Sequence, residues 1–127
     1  MKLLHEEITE KIIKSYFKVY NSLGYGFLEK VYENAMAIEL RKLGLDVKCQ
    51  YPISVIYECE IVGVYFADII VNNLVVIELK STKEISEENE CQLMNYLKAT
   101  QIELGLLMNF GKVAEYKRKI FTNQIKT

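Results

Sequence analysis

Between residues 60 and 80 the chain passes through two apolar stretches that charge interrupts. Val62-Gly63-Val64-Tyr65-Phe66-Ala67-Asp68-Ile69-Ile70-Val71 carries Asp68, and Leu74-Val75-Val76-Ile77-Glu78-Leu79-Lys80 carries Glu78 and Lys80. Their β-branched and aromatic content predicts strands. Asn72-Asn73 between them tolerates positive φ and predicts a hairpin turn. Period-two alternation puts Asp68 on the face of Val64, Phe66 and Ile70, and Glu78 and Lys80 on the face of Leu74 and Val76. Two neighbouring strands therefore bring carboxylates to one region of a sheet. An unpaired buried carboxylate costs several kcal/mol. Either a Lys–Glu–Asp network or a divalent cation must compensate these.

The flanking segments follow another period. Ile8, Ile12, Ile13, Tyr16 and Val19 recur at helical spacing and predict a helix over 4–22, stopped by the two glycines of Gly24-Tyr25-Gly26. A second helix is expected from Leu28 to Leu43, with Val31, Ala35, Ile38 and Leu43 as its buried stripe and Gly44 as its terminator. Strands are expected at 53–58, 61–71 and 74–80. Pro52 breaks a short piece at 46–50 from the first, and Glu58-Cys59-Glu60 forms a turn. Residues 85–99 return to helical spacing behind Ser86, an N-cap followed by acidic first-turn residues. Leu104–Phe110 reads as a buried strand and Val113–Phe121 as a last one. The order αα-βββ-α-ββ describes an α/β chain with a mixed sheet flanked by helices. No linker or repeat divides residues 1–127, which are read as a single domain.

Composition narrows the function. With 16 Lys and Arg against 17 Asp and Glu, the formal charge is −1, so bulk positive charge does not hold a polyanion. The longest apolar stretches contain Asp68 or Glu78 and fall short of the roughly 18 residues of a membrane span. The start, Met1-Lys2-Leu3-Leu4-His5-Glu6-Glu7, turns acidic at once and lacks a signal-peptide core, so the expected location is the cytoplasm. Cys49, Cys59 and Cys91 are widely spaced and predict reduced, mostly buried thiols rather than a zinc site. His5 is the single histidine, which disfavours H-E-x-x-H metal hydrolysis and Ser-His-Asp catalysis.

Asp68, Glu78 and the Leu79 backbone carbonyl, at the ends of adjacent strands, would make a hard-oxygen site suited to Mg²⁺ or Mn²⁺. Lys80 would point at the same water, to orient it or to stabilise charge developing on a phosphate. These parts describe metal-assisted hydrolysis of a phosphodiester. A strand-end acid and an exposed Glu78–Lys80 ion pair fit the same residues. Glu29 reads either as a first-turn acid on the helix dipole or as a further ligand, on one face with Tyr32 and Glu33. Gln92 and Tyr96, four apart, stack on one face of the third helix.

Taken together the motifs are specific. Gly26-Phe27-Leu28-Glu29-Lys30-Val31-Tyr32 has the form G-x-x-E-x-x-Y. With Asp68, Glu78-Leu79-Lys80, Gln92-Leu93-Met94-Asn95-Tyr96 and Gly105-Leu106-Leu107-Met108-Asn109-Phe110-Gly111, the chain resembles the GxxExxY protein family of the PD-(D/E)XK nuclease superfamily from about Ile8 to Lys119. The resemblance implies a restriction-endonuclease-like α-βββ-α-β core with an extra N-terminal helix. It implies Asp68, Glu78 and Glu29 as metal ligands, Lys80 as the catalytic lysine, and Gln92 and Tyr96 as a Q-x-x-x-Y element near the substrate phosphate. Ala67 stands where the motif's proline would, and Asn89 where many relatives have His. Asn89 keeps hydrogen bonding but cannot transfer a proton at neutral pH.

The expected activity is that of a Mg²⁺- or Mn²⁺-dependent nuclease acting on DNA or RNA. The alternatives are a non-catalytic nucleic-acid-binding module, using Lys112, Lys117, Arg118, Lys119 and Lys126, and a protein-interaction domain. By analogy with small nuclease cores, a homodimer is expected.

Overall fold

The computed structural model describes residues 3–126. Helices α1 (Glu6–Leu23) and α2 (Glu29–Lys42) precede strands β1 (Val47–Tyr57), β2 (Glu60–Val71) and β3 (Val75–Lys80). Helix α3 (Glu87–Lys98), strands β4 (Leu104–Phe110) and β5 (Ala114–Ile120) and a 3₁₀ turn (Asn123–Ile125) follow. The strands form one sheet in the order β1-β2-β3-β4-β5. β3 and β4 are parallel, joined by the α3 crossover, and the other pairs are antiparallel. No helix among the described residues is long and apolar enough to cross a membrane.

Each helical layer covers one face of the sheet. Ile12, Tyr16 and Val19 of α1 and Tyr32, Met36 and Leu40 of α2 pack on Ile69, Val71, Val75, Ile77 and Leu79. On the other face Leu93, Tyr96 and Leu97 of α3 meet Ile70, Val76 and Leu107. The Tyr32 ring stacks on Phe110 at 4.1 Å. Its hydroxyl donates to the Gly24 carbonyl at 2.7 Å and accepts from the Phe27 N–H at 3.2 Å. The final tyrosine of G-x-x-E-x-x-Y is therefore a core residue that fixes the loop entering α2. Ser86 and Asn89 form a reciprocal capping box, each backbone N–H donating at 3.1 Å to the other's side chain.

Several expectations need correction. The buried face of α2 is Tyr32, Glu33, Met36, Ala37 and Leu40, whereas Val31, Ile38 and Leu43 are exposed. α2 turns toward the sheet the stripe one residue away from the expected one, and Glu33 is buried within it. Pro52 does not break β1, because β1 is an edge strand with one side free of ladder bonds. Cys59 and Cys91 are exposed, one in the hairpin turn and one on the outer side of α3, and only Cys49 is half-buried. Along β2, Val64, Phe66 and Ile70 do not share one buried face as expected: Ile70 packs in the α3 layer together with Ala67, and Val64 and Phe66 are exposed. The Asn72-Asn73 turn is as expected, with both residues at positive φ. So is the first hairpin, whose loop residues Glu58 and Cys59 also have positive φ.

Candidate functional site

The β2–β3 ladder is registered only from Val71↔Val75 to Ile69↔Ile77. The next pair would be Asp68 and Glu78, and there the strands part. Side chains replace the missing ladder bonds: the Asp68 N–H donates to Glu78 Oε2 at 3.1 Å, and the Leu79 N–H donates to Asp68 Oδ2 at 2.8 Å. Each acid thus caps the other strand's backbone, which places both carboxylates at the fork. Glu78 is 6% exposed. Burial first, and then the negative charge of Asp68, push its carboxyl up to about 9, against the opposing charge of Lys80.

The fork lies beside α3. Tyr96 of α3 is buried, and its phenol is pushed up to about 12 by burial and by the Glu78 and Asp68 carboxylates. It therefore stays protonated as a donor. Its ring meets that of Tyr65 on β2 at 5.7 Å between centroids. Along α3, a cleft of about 530 Å³ is lined by Tyr65, Gln92, Asn95 and Tyr96 together with Glu87, Glu88, Asn89 and Cys91, whereas Asp68, Glu78 and Lys80 do not line it. Gln92 and Tyr96 therefore share one surface. Lys80, half-buried at the end of β3, shares the strand face of Val76 and Glu78.

The loop after Lys80 is anchored by the second glycine-bounded motif. The buried Asn109 side chain accepts from the Thr82 N–H at 3.0 Å and donates to the Thr82 carbonyl at 2.9 Å. At Gly111 a Cβ would collide with the Thr82 carbonyl oxygen, so only glycine admits this approach. At Gly105 a Cβ would lie 2.7 Å from a Leu93 methyl, so the missing side chain lets α3 settle on β4.

Glu29 is not gathered into the fork. It stands exposed in the first turn of α2. The α2 acid linked to Asp68 is Glu33, buried at 3% exposure. Lys30 Nζ lies 2.6 Å from Glu33 Oε2, and Gln50 Nε2 donates to Glu33 Oε1 at 2.5 Å and to Asp68 Oδ1 at 3.3 Å. From the sequence, Glu33 is placed only on one face with Glu29 and Tyr32, and Lys30 and Gln50 are not singled out. Glu33 had a signal, an acid in register with Tyr32, Met36 and Leu40, whereas Gln50 had none.

The donor set fits a hard divalent ion: two carboxylates and the Leu79 carbonyl, one acid being buried against its like-charged neighbour. Among the described residues no three acidic, His or Cys side chains are already clustered as metal ligands. A two-carboxylate site suits an ion that keeps much of its water. The expected basic surface is largely spoken for. Lys117 and Lys119 pair with Glu90 at 3.2 and 2.5 Å, Arg118 donates to the Leu4 carbonyl, and Lys126 donates to the Thr100 and Ile102 carbonyls.

Comparison with known proteins agrees with this architecture. No curated protein matches the chain. Among solved structures, one titled "Crystal structure of SSO0001" aligns with a TM-score of 0.56 at 16% identity, covering 73% of this chain. The chain spans about half the length of that protein, and at this identity the likeness speaks for the fold. The profile of the PD-(D/E)XK nuclease superfamily matches residues 6–120, nearly the whole sequence. A mixed sheet between helical layers, with an acid pair where β2 and β3 diverge, is the restriction-endonuclease-like arrangement, and the chain belongs to the PD-(D/E)XK nuclease superfamily.

Proposed function

We propose that this chain is a metal-dependent phosphodiesterase that cleaves nucleic acid, of the GxxExxY type within its superfamily, with Mg²⁺ or Mn²⁺ as its ion. Nucleases of the superfamily generally use divalent metals. The observation that carries the reading is the interlocked pair at the fork, Asp68 and Glu78, each bonded to the other strand's backbone. A neutral amide oxygen at this position would accept the Asp68 N–H as well as Glu78 does, so the backbone bond alone does not call for an ionisable group there, and a cation repays the cost of keeping one.

Asp68, Glu78 and the Leu79 carbonyl would hold the ion, with Glu33 in the place expected of Glu29. The ion when bound supplies Lewis-acid polarisation of a phosphate and a more acidic water. Lys80 orients the attacking water and offsets negative charge growing on the phosphate. Tyr96, held protonated, donates a hydrogen bond, and the Gln92 amide serves a phosphate oxygen beside it. The three free thiols suit a reducing compartment, so the cytoplasm belongs to the same reading. A single domain and a homodimer that meets two strands complete it.

Calorimetric titration with Mn²⁺, paired with cleavage assays on single- and double-stranded DNA and RNA, tests the proposal. The expected result is binding in the wild type, its loss in Asp68→Asn and Glu78→Gln, and a Lys80→Ala variant that still binds metal but cleaves at least ~100-fold more slowly. Absence of Mn²⁺ binding at millimolar concentration overturns it.

A further inference from the structure

Gln50 has φ of 52° in the middle of β1, a left-handed conformation that L-residues other than Gly, Asn and Asp seldom adopt. The β1–β2 register passes from Cys49↔Ile69 to Tyr51↔Ala67, so Gln50 stands opposite Asp68 with no ladder pair between them. The two faces of the hairpin exchange at this point. Val47 and Cys49 pack in the α1–α2 layer, whereas Tyr51 and Ile53 pack in the α3 layer.

If the position served only to turn the strand, glycine or asparagine would do so with less strain. Gln50 is also exposed, so no packing demand selects its side chain. What the side chain does is bridge acids. Its Nε2 donates to Glu33 Oε1 at 2.5 Å and to Asp68 Oδ1 at 3.3 Å, using both amide hydrogens. A neutral amide does this without cancelling the charge of Asp68, whereas a second ammonium beside that of Lys30 would compete with a cation. Lys30 holds the other oxygen of Glu33 from the outside.

We propose that Gln50 is a positioning residue: its left-handed backbone aims the amide between Glu33 and Asp68, tethering Glu33 so that it would join Asp68 and Glu78 as a third acid when an ion binds, the three not being gathered beforehand. This rests on the metal-binding reading above. The loss expected on removing such a support is about 10-fold in metal affinity.

The test is calorimetric Mn²⁺ titration of wild type, Gln50→Gly, Gln50→Asn, Glu33→Gln and the Glu33→Gln/Gln50→Asn double variant, with Glu78→Gln as the control. Thermal melts confirm that each is folded. Glycine and asparagine both accept the backbone conformation, and neither reaches both acids. Each is expected to lose about 10-fold in affinity, and the double variant to lose no more than Glu33→Gln alone. Wild-type affinity in the folded Gln50 variants, with Glu78→Gln still abolishing binding, overturns the inference and leaves the metal site standing. Additive losses in the double variant overturn the link through Glu33. A wild type that binds no Mn²⁺ removes the underlying reading and the inference with it.

Discussion

Glu78 carries the sharpest chemical tension in the molecule. Its carboxyl sits up near 9 because burial and the charge of Asp68 both disfavour ionisation. In the unfolded chain the group titrates near 4.3. The folded state therefore binds the extra proton, and the stability this lends is complete below about pH 4.3 and lost as pH rises toward 9. In metal-free buffer Glu78→Gln is expected to flatten this decline and to melt ~5 °C higher than wild type at pH 8, measured by calorimetry across pH. The Gln amide oxygen still accepts from the Asp68 N–H. The same site that lowers stability alone recovers it when filled: Mn²⁺ at 100 times its Kd is expected to stabilise the wild type by about 2.7 kcal/mol and Glu78→Gln by nothing. Asp68, Glu78 and Lys80 were legible in the sequence because charge inside an apolar strand is costly and therefore conspicuous. Gln50 was not, since a polar residue on an edge strand is ordinary and its backbone φ leaves no compositional trace.

At the scale of the element, α2 shows how rotation about a helix axis decides a site. Reading Val31, Ala35 and Ile38 as its inner stripe turns the whole Glu29–Tyr32–Glu33 face outward, so neither acid would reach Asp68. The observed face, Tyr32 to Leu40, carries Glu33 inward instead. Short helices with apolar residues on several sides leave this phase ambiguous, and tertiary packing of Tyr32 on Phe110 resolves it. Glu29→Gln is accordingly expected to leave Mn²⁺ affinity unchanged, while Glu33→Gln lowers it about 10-fold. The loop behind β3 makes a second element-scale prediction. Asn109→Ala removes both bonds to the Thr82 backbone and is expected to cost about 2 kcal/mol in denaturant unfolding. It also loosens the segment holding Lys80, so turnover falls while Mn²⁺ affinity stays near wild type. The order and type of the elements followed from periodicity and turn residues; Pro52 misled because a sequence does not announce which strand lies at a sheet's edge.

For the whole molecule, the near-neutral charge and the pairing of Lys117 and Lys119 with Glu90 leave little free positive surface at β5. Lys117→Ala/Lys119→Ala is expected to leave the salt dependence of nucleic-acid binding unchanged, read from affinities between 50 and 200 mM salt. The hairpin has a consequence of its own. From Glu60 to Asp68, β2 is paired with β1 alone, and this two-stranded ribbon carries Ile56, Tyr57, Ile61 and Phe66 on open surface. Isolated ribbons of this kind are marginal in water. Its tip therefore breathes at a free energy well below that of global unfolding, with amide exchange there outrunning β3 and β4. Each such opening lifts Tyr65 from Tyr96 and unroofs one wall of the cleft along α3, so the shape of that cleft is set by the least stable limb of the protein.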